Sequence, residues 1–121
     1  MDLDGDNVFC GTLIATHKVV QWMGSHVWKV GEKMFAVGFE KDGQLHVTFK
    51  VTPLSFDILK EQAGLRPAPH LASRGMSWIQ HYAEPGLDDE ALQDYLRASH
   101  GLVAAGLSKK KQRDFGLSAG D

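Results

Sequence analysis

The spacing of hydrophobic and polar positions changes along this chain, and the changes mark its elements. From Asn7, "NVFCGTLIATH" gathers Val8, Phe9, Leu13 and Ile14 at helical spacing, with Asn7 as an N-cap. Gly11 and the two threonines weaken that short helix. From Ser25 the period shortens. "SHVWKVGEKMFAVGFEKDGQLHVTFKV" reads as strands joined by two tight turns, Gly31-Glu32 of type II′ and Asp42-Gly43 of type I′. Two-residue loops would set Val30 opposite Lys33, Trp28 opposite Phe35, Lys41 opposite Gln44 and Phe39 opposite His46. One face then collects Val27, Met34, Ala36, Gly38, Leu45, Val47, Phe49 and Val51. It is the expected core, with Ala36 and Gly38 small enough to admit a helix. The other collects Trp28, Val30, Lys33, Phe35, Val37, Phe39, His46, Thr48 and Lys50, a mixture of aromatic and basic groups unusual for a plain solvated face.

After Val51, "TPLSFDILKEQAG" predicts a helix capped by Thr52, with Pro53 first and Gly64 as a left-handed stop. "SWIQHYA" predicts a further strand. "LDDEALQDYLRASHGLVAAGL" is a helix capped by Asp88, stapled by Leu87 and Leu92, with an apolar stripe through Tyr95, Leu96, Ser99, Leu102 and Val103. The expected fold class is α+β, an antiparallel β-sheet with helices packed on one face. Its order is α-β-β-β-α-β-α, with a possible extra strand at "KVVQWM". A single domain over residues 1–121 is expected, with a core at about 8–107, an acidic flexible start at 1–6 and a basic, fraying tail at 108–121.

Composition changes this picture little. The 43% hydrophobic and 23% charged content belongs to an ordinary globular protein, and no apolar run is long enough to cross a bilayer. The acidic start argues against a secretory signal, and a lone cysteine, Cys10, fits a reducing cytoplasm. Net charge is −2, which opposes a strongly nucleic-acid-binding surface. Three of the acids are Asp2, Asp4 and Asp6; outside them, twelve acids face thirteen basic residues, which is compatible with a local basic patch.

Reaction chemistry finds little support. "DLDGDN" has the alternate aspartates of a calcium loop, yet Asn7 and Leu13 occupy the places that need glycine and glutamate. The six histidines, His17, His26, His46, His70, His81 and His100, lack a zinc-binding spacing. Cys10 falls on a buried helix side, and Ser73, Ser77 and Ser99 lack a nucleophile elbow. No enzyme, cofactor or metal is expected. The aromatic-basic face carries more. Trp28 and Phe35 could stack on bases while Lys33 and Lys50 contact phosphates. Lys109, Lys110, Lys111 and Arg113 could add salt-sensitive contacts, although a helix C-terminus favours cations on dipole grounds alone. Docking of a second copy or another protein on the Trp28 and Phe35 face is the alternative. Small-ligand or metal binding near His70 is a third.

"VWKVGEKMFAVGF", the strand "LHVTFKV", the "PLSFDIL" helix, "PAPH" leading to Trp78, and "LVAAGLSKK" together resemble the MmcQ/YjbR family over roughly residues 8–113. The resemblance implies an α+β fold similar to secretion chaperones and a bacterial protein of unsettled function, with DNA binding suggested. Lys29, Lys33 and Met34 match its strand motif, His70 and Trp78 its loop motif, and Lys109 and Lys110 its last helix. Ala72 and Ser73 stand where the family pattern carries an asparagine-lysine pair, so Arg74 would have to substitute for the lysine. The whole run "RPAPHLASRGMSWIQHY" is expected to be an ordered connection from helix to sheet, packed down by Trp78 and His70, with Arg74 at its exposed tip.

Overall fold

In the computed structural model, which describes residues 1–71 and 75–117, the strand-turn pattern builds one antiparallel sheet. The elements are α1 (Leu3–Gly11), β1 (Thr16–Gln21), β2 (Ser25–Val30), β3 (Lys33–Lys41), β4 (Gln44–Lys50), α2 (Pro53–Leu59), β5 (Leu65–Pro67), β6 (Trp78–His81), α3 (Asp89–Ala105) and α4 (Lys109–Asp114). The strands lie in the order β1-β2-β3-β4-β6-β5. The class is α+β as expected, and the extra strand forms as β1. Two elements go beyond the expected order. β5 is a three-residue strand pairing with β6, and α4 occupies much of the stretch expected to fray.

The acidic start is helical from Leu3. Asp2 caps α1 by accepting from the Gly5 N–H at 2.8 Å, and Asp4 and Asp6 sit in the first turn, where the helix dipole favours them. The helix therefore begins at Leu3 and not after Asn7. The other caps form as expected: Thr52 accepts from the Ser55 N–H, and Asp88 from the Ala91 N–H. Gly64 takes the left-handed conformation with φ 87°; a side chain there would run into the Ala83 carbonyl and Gly86 backbone.

Both hairpin loops have two residues, so Val30 pairs with Lys33, Lys41 with Gln44 and Phe39 with His46. The expected pairing of Trp28 with Phe35 does not occur. A β-bulge places Trp28 opposite Ala36 and Lys29 opposite Met34, which leaves Phe35 as the extra residue. The insertion reverses which side of the sheet each β2 residue shares with its β3 neighbours. Trp28, Val30 and Phe35 consequently join Ala36, Val47 and Phe49 in the core, while Val27 and Met34 move to the opposite face.

α1 and α3 cover the core face. α1 crosses β3 at Gly38, where a Cβ would lie 2.5 Å from Asp6 Oδ2, so the small residue does admit a helix. The bulge frees the Phe35 carbonyl from regular pairing, and α3 supplies its partner. The wholly buried Ser99 Oγ donates to Phe35 O at 2.7 Å and accepts from the Lys50 N–H at 2.8 Å. After β5, the Ala68 N–H donates to the Trp78 carbonyl and the buried Trp78 holds the connection against the sheet. His70 itself is exposed, with φ 70°. Arg74 lies outside the described residues.

Candidate functional site

The face of the sheet turned away from α1 and α3 carries a cleft of about 470 Å³. Strand alternation sends Val19, Val27, Val37, Thr48, Gln80 and Arg66 to this face, and the register aligns them in one row across all six strands. The row is apolar on β1, β2 and β3, then presents a hydroxyl, an amide and a guanidinium on β4, β6 and β5. Met34 and Phe39 flank it, Trp22 stands at one lip, and Pro69, His70 and Leu71 form the opposite wall. The run from Arg66 to Tyr82 therefore does reach a cavity, through Arg66, Pro69, His70 and Leu71 at one end and Gln80 at the other.

Arg66 is held in place on two sides. Its Nε donates to Gln80 Oε1 at 2.8 Å, and its guanidinium carbon stands 4.2 Å from the centre of the Tyr82 ring. Neither Nη group makes a hydrogen bond or ion pair among the described residues. Thr48 Oγ1 and Gln80 Nε2 likewise have no hydrogen-bond partner among them. Trp22 and Met23 turn the β1–β2 hairpin with φ 50° and 62°, a backbone that bulky residues rarely adopt, and both side chains are exposed. Sequence reading named neither Arg66 nor Gln80 as a site residue. The only available signal was an arginine before two prolines.

The basic residues gather elsewhere. Lys33 and Lys50 line a second groove, of about 530 Å³, together with Thr52, Met76, Trp78 and Leu102. Lys33 Nζ donates to the Gly106 carbonyl at 3.2 Å, past the last turn of α3. From there α4 presents Lys109, Lys110 and Arg113 to solvent, while Lys111 bonds Glu32 at 2.7 Å. That contact, hydrogen bond before charge, holds the Glu32 carboxyl below its ordinary value. Acids crowd the other end of α3: Asp88, Asp89 and Glu90 begin the helix, and the Met1 ammonium bonds Asp89 at 2.6 Å. Charge is thus separated between the two ends of α3: its own first turn holds acids, as the dipole favours, while the cations beyond its last turn belong to Lys33 and to α4.

Two expected site residues move out of reach of any ligand. Trp28 is 7% exposed and its indole donates to Asn7 Oδ1 at 2.9 Å, while Phe35 is wholly buried and meets His100 edge to face. The bulge is the cause. An aromatic platform at these positions, for bases or for a partner protein, is corrected accordingly. Lys29 is half-buried on β2 beside Met34, and Met34 reaches both clefts. His70 borders the first cleft and Trp78 the second. Among the described residues, no three histidine, cysteine or acidic side chains come close enough to hold a metal ion, and no helix is long and apolar enough to cross a membrane.

An open six-stranded antiparallel sheet, with helices on one face and a cleft on the other, defines a single α+β class of protein. The YjbR family model matches residues 12–102, and the chain belongs to that family. Its structure is similar to the crystal structure of a Deinococcus radiodurans protein with a DUF419 domain, at TM-score 0.84 and 24% identity, covering 97% of this chain and 89% of that one. It is also similar to a Pseudomonas syringae protein, at TM-score 0.69 and 16% identity, covering 84% and 98% of the two chains. Curated proteins give no match.

Proposed function

We propose that this YjbR-family chain is a non-enzymatic, cytoplasmic DNA-binding protein that grips the phosphate backbone with cations of β3, β4 and α4 gathered beyond the last turn of α3. One observation carries the reading: Lys33 and Lys50 share a groove that leads, through the Lys33 contact on Gly106, to the exposed cations of α4. With Trp28 and Phe35 buried, base stacking drops out. The contacts are then phosphate contacts, tolerant of sequence and weakened by salt. Acids at the far end of α3 orient the molecule on a polyanion and account for a net charge of −2 in a DNA-binding chain. The buried, unpaired Cys10 suits a reducing compartment.

Fluorescence anisotropy on a labelled duplex across salt concentrations tests this. Affinity falls linearly with salt on logarithmic axes, and Lys33→Gln, Lys50→Gln or Lys109→Gln each lowers the slope by about 1. Absence of any binding at low salt and micromolar protein removes the proposal.

A further inference from the structure

The open-face cleft shares only Met34 with the lysine groove and has chemistry of its own. We propose that it is a binding site for a small amphipathic carboxylate, lying along the row from Val37 to Arg66. Three features converge on that ligand class. The walls are almost wholly apolar, and Trp22, Met34, Val37, Phe39 and Leu71 offer them to an alkyl or flat aromatic body. The polar groups are confined to one end, where Thr48, Gln80 and Arg66 are consecutive partners across β4, β6 and β5. The arginine is already oriented: Gln80 fixes its Nε and Tyr82 its plane, which leaves the Nη groups as a fork for a carboxylate.

The unpaired groups make the case stronger than the cavity alone. Gln80 is only 5% exposed and Thr48 8%, and Gln80 Nε2 and Thr48 Oγ1, which make no hydrogen bond among the described residues, are not sealed in the core but open to the cleft. Both line the cleft, so a ligand head group there would meet an amide donor, a hydroxyl and the arginine fork together. Three inter-strand steps separate Val37 from Arg66, about 15 Å along the floor, which suits a short fatty acid or an aryl carboxylate. Metal ligands are not needed, and His70 serves only as wall. The exposed Trp22 at the β1–β2 turn gives the apolar end a lip against the ligand body.

Octanoate and its uncharged counterpart octanol are the probes, read by amide NMR shifts on the full chain. Octanoate shifts the resonances of Val37, Thr48, Gln80 and Arg66 saturably, with a Kd of about 1 mM or tighter for so small a ligand. Octanol binds about tenfold more weakly or worse, and Arg66→Gln removes that preference by a similar factor. Thr48→Val, which preserves shape, weakens octanoate several-fold and guards against a folding defect at Arg66. Lys33→Gln leaves octanoate binding unchanged and Arg66→Gln leaves duplex binding unchanged, so this site and the DNA reading stand or fall separately. Equal response to octanoate and octanol in the wild-type chain, or shifts scattered away from the row, overturns the assignment.

Discussion

Ser99 does more than its place on a helical stripe suggests. Periodicity alone put it on the buried side of α3, and the structure agrees. What periodicity could not reveal is its pair of partners, because both depend on the bulge at Phe35. The hydroxyl is donor to Phe35 O and acceptor for the Lys50 N–H, so two strands and a helix meet at one oxygen. Ser99→Ala removes the oxygen and leaves two buried backbone groups without it. The expected loss is about 1–3 kcal/mol, far above the cost of a surface serine. Urea denaturation measures it; an unchanged midpoint would mean that the strands close the gap unaided. Arg66 illustrates the same limit. Its neighbours Gln80, on β6, and Tyr82, just after it, lie across a loop, and no local pattern announces that they will hold a guanidinium in place.

At the level of elements, whatever was encoded within a few residues was legible. The glycines and Asp42 of the two hairpin turns fixed the loop lengths, and the Thr52 and Asp88 caps fixed two helix starts. Legibility ended where a long-range contact decided the outcome. The Phe35 bulge carries no glycine to betray it, and it inverted the face assignment of β2 while the hairpin loop beside it stayed regular. The expected first helix lies too far along the chain: α1 starts at Leu3, because the acids that resemble a solvated terminus cap and open it, and it stops at Gly11, before Leu13 and Ile14. Docking of α1 depends on the missing side chain at Gly38, with Asp6 and Cys10 wholly buried beneath the helix. Cys10 is therefore inert: burial, then the neighbouring Asp6, push its thiol far above the ordinary value. Gly38→Val places branched carbons where Asp6 sits and lifts α1 from the sheet. Thiol labelling of Cys10 under native conditions then accelerates at least about tenfold, since labelling tracks the population of the opened state. Labelling as slow as in the parent chain would mean that α1 accommodates the valine.

Across the whole molecule, two buried titrating groups pull stability in opposite directions. Burial raises the Asp6 carboxyl from 3.8 to about 6, with the Cys10 thiol 3.6 Å away offsetting a little, and Asp6 Oδ2 has no hydrogen-bond partner among the described residues. Its folded value exceeds its unfolded one, so its contribution is full below about pH 4 and is lost as pH rises through 6. His81 behaves in reverse. Burial lowers its imidazole below 6.5 against the pull of Glu84 and Asp89, with Met1 and His46 assisting, and Nδ1 accepts from the Leu87 N–H at 3.3 Å. Its contribution is present above 6.5 and is lost as pH falls through the lowered folded value. Glu32 acts only at more acid pH, since its carboxyl lies below 4.5. Opposed slopes make the parent chain's pH dependence between about pH 4 and 7 shallower than either group alone would give. Asp6→Asn takes away one slope: the variant gains about 1–3 kcal/mol at pH 8 and loses stability on acidification through the His81 window. His81→Gln takes away the other, and that variant becomes more stable as pH drops from 7 toward 4. Urea titrations of the three proteins across this range measure both slopes. If Asp6→Asn is no more stable than the parent at alkaline pH, the carboxyl has found a partner that offsets its burial, and α1 is held to Gly38 by more than shape.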